Sequence, residues 1–368
     1  MKRKLISVLL CLAMTVSLTA CGSAGNEAAS TVPAEESSEG AASAGETTAP
    51  AQETQTSTEE TAGNNDYKIA VVPKLTSIAW FQRMEEGVKE YASETGVDAF
   101  YTSPSEGDGA LQAQVIEDLI SQGVDAICVV PFSTESLEPV LKKAREAGIV
   151  VIAHEASGMQ NIDYDIEAFD NAAYGEHFMK VLGEATGGTG EYLFEVGSLT
   201  SESHNQWVDA AKTYQETNFP DMKQYGDKIE TADDQSKSYD KVKEALTANP
   251  GIAAIQGSAM PDVAGAALAV EELGLSGKVK IAGTSLVSVS GKYVKDGTIE
   301  MISFWDPALA GKAMIQLAIK VLNGETIENG LDLGVEGYDS LTLDGKVLYG
   351  QAWIDVTKDN VGDPAYDF

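Results

Sequence analysis

From Lys68 onward the chain alternates continuous apolar runs with amphipathic stretches, and it does so twice in succession. The first set of strand-like runs covers 68–73, 97–101, 124–130 and 149–153, with helical patterns over 79–95, 109–122 and 135–147 between them. The second set covers 191–196, 228–232, 252–256 and 278–283, with helical patterns over 205–218, 238–248 and 262–273. A further strand-like stretch ending at Phe304, a helix over 308–322 and a strand-rich tail follow. Strands that are apolar along their whole length, each followed by an amphipathic helix, belong in parallel sheets covered on both faces. The fold class is therefore α/β, with two doubly wound lobes in tandem. In such sheets ligands bind beyond the carboxyl ends of the strands, so facing lobes would share a cleft and close on it by a hinge movement.

The start of the chain speaks to location. Lys2, Arg3 and Lys4 precede an apolar stretch over 5–19, and Leu18-Thr19-Ala20-Cys21 follows. A charged start, a short apolar core and small residues before a cleavage point read as a secretory leader, residues 1–21. The four-residue run resembles a bacterial lipobox, which makes Cys21 the expected lipidation site and the mature N-terminus. Residues 22–66 hold nine acids and no lysine or arginine among Ala, Ser, Thr and Gly. Such a composition buries too little apolar surface to offset chain entropy and reads as a disordered acidic tether. Its coil dimension is roughly 35–40 Å.

Taking the three positive charges of the leader and the nine acids of the tether from the total of −32 leaves −26 on residues 67–368. A domain so acidic is unsuited to nucleic acid, which demands a basic face. No second apolar run is long enough to span a membrane. With Cys11 in the leader and Cys21 lipidated, Cys128 is left alone in an apolar run, which excludes a disulfide framework or a paired-cysteine metal site.

Several marks, in order and spacing, carry a resemblance: Ile69-Ala-Val-Val-Pro-Lys74 with Trp80-Phe81 soon after, Gln122-Gly-Val-Asp-Ala-Ile127, Asn205-Gln-Trp-Val208, Phe304-Trp-Asp-Pro307, and the ending Lys358-Asp-Asn360 with Tyr366-Asp-Phe368. Over 67–368 the chain resembles the type I periplasmic binding proteins of sugar ABC importers, within them the rhamnose-binding and autoinducer-2-binding branch. The resemblance implies two Rossmann-like lobes in a Venus-flytrap arrangement, strand order 2-1-3-4-5 in each, and a three-segment hinge. It assigns 67–171 plus 302–325 to the N-terminal lobe and 172–301 plus 326–368 to the C-terminal lobe. It also implies three partners: one small neutral sugar or polyol, a membrane permease, and the membrane through the lipid anchor. No cofactor, no metal and a monomeric state go with it.

A polyol site needs aromatic faces for its C–H surface and charged or amide groups for its hydroxyls. Lys74, at the end of the first strand, matches a ligand-contacting lysine of the autoinducer-2-binding relatives; otherwise it faces solvent. Trp80 and Phe81 either stack on ligand or pack in the core. Glu155 follows the 149–153 strand where relatives carry an aspartate. Asp170 and Asn171 match a sugar-contacting pair of ribose-type relatives, or else cap a helix. Ser203 and His204 stand where autoinducer-2 binders carry Asp-Gln, a departure that favours a sugar; Gln206 offers an amide. Ser258 and Met260 stand where those relatives carry Pro and Ala, and Trp305 with Asp306 falls at a lobe crossover, where relatives place the tryptophan in the cleft.

Other classes fit less well. The three histidines, His154, His177 and His204, lack metal-site spacing, and no nucleophile elbow or phosphate loop follows a strand, so the reading is not an enzyme. A sugar-responsive regulator of the same fold needs a DNA-binding module where the acidic stretch stands. The alternatives kept are an autoinducer-2 receptor and a binding protein that feeds a membrane sensor instead of a transporter.

Overall fold

The computed structural model describes residues 66–368; the leader, Cys21 and all but the last residue of the expected tether lie outside them. In the first lobe β1 (Lys68–Val72), α1 (Ala79–Thr95), β2 (Asp98–Tyr101), α2 (Gly109–Gln122), β3 (Ala126–Val129), α3 (Thr134–Glu146) and β4 (Val150–His154) alternate as read from the sequence, and a fifth strand absent from that reading, β5 (Tyr164–Glu167), follows β4. The second lobe comprises α4 (Asn171–Thr186), β6 (Gly190–Val196), α5 (Glu202–Asn218), β7 (Met222–Gln224), β8 (Ile229–Glu230), α6 (Gln235–Ala248), β9 (Ile252–Gly257), α7 (Asp262–Glu272), β10 (Lys280–Thr284), α8 (Val287–Asp296) and β11 (Met301–Phe304). The chain then returns for α9 (Pro307–Leu322), β12 (Thr342–Asp344) and β13 (Val347–Tyr349), and ends with β14 (Ile354–Val356).

The sheets run β2-β1-β3-β4-β5-β13-β12 and β7-β6-β9-β10-β11-β14. Each contains the order 2-1-3-4-5 that the resemblance implies, parallel throughout, and each is extended past its fifth strand by the tail. Period-two alternation sorts the side chains of β1. Ala70 and Val72 join a core with Ile116, Leu119 and Leu141 on the α2–α3 side. Ile69 and Val71 join a core with Met84, Val88 and Cys128 on the opposite side. Burial pushes the Cys128 thiol far above its ordinary range, so it behaves as an apolar side chain.

The lobe boundaries differ from the sequence reading in the last two segments. Residues 302–304 stay in the second lobe, where Ile302 and Ser303 pair with Gly283 and Thr284 of β10. The stretch 326–350, expected in the second lobe, supplies β12 and β13 to the first, with Val347–Tyr349 in register with Asp165–Glu167. Without β13, β5 would present an unpaired row of backbone groups at the sheet edge. Helix α9 packs against α1; a Cβ on Gly87 would sit 2.3 Å from the Ala308 carbonyl oxygen, so this close crossing needs glycine there. Helices α4 and α8 are absent from the alternation read in the sequence.

The chain crosses between lobes near Phe169, Trp305 and Trp353, and these rings meet. Phe169 stacks on Tyr174 at 4.0 Å, Trp305 stands edge-on to Phe169 at 5.0 Å, and Trp353 lies 5.7 Å from Phe169 and 5.5 Å from Tyr174. No described helix is long and apolar enough to cross a membrane.

Candidate functional site

A cavity lies between the lobes, at the carboxyl ends of both sets of strands. Lys74 reaches it from beyond β1, Glu155 from beyond β4, His204 from the first turn of α5, and Asp233 from beyond β8. Ser258, Ala259 and Met260 follow β9, Thr284 ends β10, and Trp305 follows β11. Ile78, Trp80, Phe81 and Trp207 complete the wall.

The polar groups are placed by their own backbones. Glu155 has φ 63°, a left-handed conformation that costs a non-glycine residue of order 1–3 kcal/mol and turns its carboxylate off the strand end. Its Oε2 accepts from Ser203 Oγ at 2.8 Å and lies 3.5 Å from Lys74 Nζ, so one first-lobe carboxylate meets one residue of the facing lobe. Ala232 and Asp233 are also left-handed, at φ 54° and 53°. Asp234 caps α6 by accepting from the amides of Ser236 and Lys237. Asp233 is thereby free to face the cavity, where its buried carboxylate accepts no hydrogen bond from the described residues. Burial raises its pKa and Glu155 adds to the rise, while Lys74 opposes it.

His204 accepts the Gly197 amide at Nδ1 (3.0 Å), which leaves the proton on Nε2. Burial, and then the charge of Lys74, holds its pKa well below the ordinary histidine range. The ring is therefore a neutral donor at the cavity wall. The Ser258 hydroxyl is buried without a partner among the described residues. Trp80 and Trp305 form an edge-on pair at 4.6 Å, and Trp207 is fixed by a 2.6 Å bond from its Nε1 to Asn171 Oδ1.

Lys74, Trp80, Phe81, Glu155, His204, Ser258, Met260 and Trp305, expected from the sequence, thus surround one cavity. Ser203 stands behind Glu155 rather than in the wall. Four expected residues are elsewhere. Asp170 is exposed and caps α4 through the Ala173 amide, and Asp306 caps α9 through the Ala308 amide, because each helix start leaves amides that need an acceptor. Asp306 also holds Arg83 in a two-pronged pair at 3.0 and 2.8 Å. Asn171 is a support for Trp207, and Gln206 bonds Ser157 and Glu202 outside the cavity. Sequence reading missed Ile78, Trp207, Asp233, Ala259 and Thr284. The doublet Asp233-Asp234 carried a signal: one aspartate is enough to cap α6, so the other is available for a second role.

A model of the periplasmic binding protein domain matches residues 69–326. The D-xylose-binding periplasmic protein of Escherichia coli is 29% identical over 257 residues, covering 65% of this chain and 75% of the relative. The D-ribose/D-allose-binding protein of Pseudomonas aeruginosa is 29% identical over 286 residues, covering 73% and 86%. In fold the chain is similar to an ABC transporter solute-binding protein from Clostridium phytofermentas with bound L-rhamnose, at TM-score 0.75 and 22% identity, over 82% of this chain and 99% of that one. It is also similar to LsrB from Clostridium saccharobutylicum in complex with AI-2, at TM-score 0.74 and 20% identity, over 82% and 100%.

Proposed function

The chain belongs to the periplasmic binding protein family, and from that premise we propose that it is the sugar receptor of an ABC importer, taking one small neutral sugar or polyol between its lobes. It is a binding protein and not an enzyme. The observation that carries the ligand class is the pairing of an aromatic wall with unspent polar groups in one cavity. Trp80, Phe81, Trp207 and Trp305 offer faces to C–H surface, while Asp233 offers an unpartnered carboxylate. His204 Nε2–H and the Ser258 hydroxyl supply donors, and Lys74 and Glu155 supply one charge of each sign. Charge-assisted bonds to hydroxyls are the strong ones in such a site.

Binding then proceeds by closure. Ligand enters between parted lobes, hydroxyls replace water on Asp233 and Glu155, and the lobes rotate about the Phe169, Trp305 and Trp353 crossovers. A thermal-shift screen with L-rhamnose, other deoxysugars, pentoses, allose, xylitol and autoinducer-2 tests the ligand class. A sugar or polyol shift is the expected result; no such shift beside a clear one with an amino acid or nucleoside overturns it. An autoinducer-2 shift without a sugar shift selects the receptor alternative.

The lipid anchor is part of the same proposal, supported by Leu18-Thr19-Ala20-Cys21 and the acidic stretch after it. Dual acylation at Cys21 holds a protein on a membrane, and the tether lets the domain reach a permease. Cys21→Ala is expected to release the protein from the membrane fraction; retention there overturns the anchor.

A further inference from the structure

His154 adjoins Glu155 in sequence yet does not line the cavity; it is fully buried at the end of β4. We infer that His154 is a positioning residue that binds Trp305 to the first lobe and so sets one aromatic wall of the cleft before ligand arrives. The inference rests on reading the cavity as the ligand site.

Trp305 follows β11, a strand of the second lobe, and its only polar atom is the indole N–H. That N–H donates to His154 Nε2 at 3.1 Å. The other ring nitrogen, Nδ1, faces the carbonyl of Ile166 on β5. With Nε2 accepting, the proton sits on Nδ1, so the two contacts fix one tautomer and the plane of the ring. Both contacts of the imidazole thus tie Trp305 to β4 and β5 of the first lobe. The Trp80 ring, at 4.6 Å, is also a first-lobe element. Trp305 accordingly travels with the first lobe although it follows a strand of the second. The binding surface pays less ordering cost when its aromatic wall is already fixed.

The residue type matters. A carboxylate at 154 would stand beside Glu155, whose Oε1 is 3.9 Å from His154 Nε2, and near the buried acids Asp165 and Glu167. An aliphatic residue would leave the indole N–H buried without a partner. Neutral imidazole accepts from Trp305 and donates to Ile166 at the same time, and adds no charge.

The test compares His154→Leu with His154→Gln, which keeps an acceptor and a donor. The four tryptophans give four indole ¹H–¹⁵N signals, and the Trp305 signal is identified by its loss in Trp305→Phe. In ligand-free protein His154→Leu is expected to displace or broaden that signal while His154→Gln keeps it near its place. Calorimetry with whichever of L-rhamnose, D-ribose or D-xylose raises the wild-type melting temperature is expected to give about tenfold weaker binding for Leu, the scale of one buried N–H left unpaired, and a smaller loss for Gln. An unmoved Trp305 signal in His154→Leu overturns the inference. So does an equal displacement in His154→Gln, or a moved signal with unchanged affinity. If none of the three sugars shifts the wild type, the ligand reading loses support, while the indole signals still decide whether His154 holds Trp305.

Discussion

Glu202 is the place to perturb the closed arrangement without touching the cavity wall. It opens α5 in the second lobe, and its Oε1 accepts from Ser157 Oγ at 3.1 Å and from the Gly158 amide at 2.5 Å, both on the first lobe. Gln206 Nε2 donates to the same oxygen at 3.0 Å and to Ser157 Oγ at 2.9 Å, so the cross-lobe contact is a small network. A Cβ on Gly158 would lie 2.7 Å from Glu202 Oε1, so a side chain there would push the Glu202 carboxylate aside. Hydrogen bonds to a charged group are worth about 1.5–3 kcal/mol when buried. Glu202 and Ser157 are half-buried and Gly158 is exposed, so each cross-lobe bond is discounted to about 0.5–1 kcal/mol. Removing two of them should weaken the closed form by about 1–2 kcal/mol, or about 5–30-fold in affinity. Most of the change should fall on dissociation, as it does for most interface substitutions. Stopped-flow release of a bound sugar from Glu202→Ala, with Gly158→Ala as an independent way to part the same groups, measures this. Release rates within twofold of wild type for both variants would refute the reasoning.

Asp233→Asn should raise the melting temperature of ligand-free protein, because it relieves a buried unpartnered carboxylate at a left-handed position that asparagine tolerates, and should weaken sugar binding at least about tenfold. A fall in both melting temperature and affinity would instead mark a structural role. Trp305→Ala should cost about 3–5 kcal/mol of stability as a buried aromatic truncation and also weaken binding at least tenfold; unchanged affinity by calorimetry would remove Trp305 from the site. Burial pushes the buried carboxyls Asp165 and Asp262 up to about 7. Their neutral forms therefore stabilise the fold fully below the unfolded value near 3.8, and that contribution is lost as pH rises through about 7. The melting temperature should be about 5–10 °C lower at pH 8 than at pH 5.5. Glu195, held well above the carboxylate range by burial with both oxygens unpartnered among the described residues, should narrow that gap when changed to glutamine; a gap that stays as wide would refute its part.

The α/β class, the tandem halves and the rims that hold the site were legible in the residue pattern. These follow from local rules: Ile69 to Val72 are all apolar because both faces of β1 are covered, and Gly109–Gln122 and Ala79–Thr95 emerge where periodicity places them. It also brought Lys74, Glu155, His204, Ser258 and Trp305 into consideration, since each directly follows or ends near an apolar run. Which of these candidates face the cavity depends on contacts made far along the chain. Asp170 and Asp306 carry the same side chain as Asp233, but the first two are consumed by amides at helix starts, while Asp234 takes that duty beside Asp233. The placement of β12 and β13 was likewise decided at a distance. Three-residue strands carry too little periodicity to declare a sheet, and it is the unpaired edge of β5, some 180 residues earlier in the chain, that claims Val347–Tyr349. Local pattern sets what a segment can become, and the choice of partner for each polar group is settled by what the fold brings within reach.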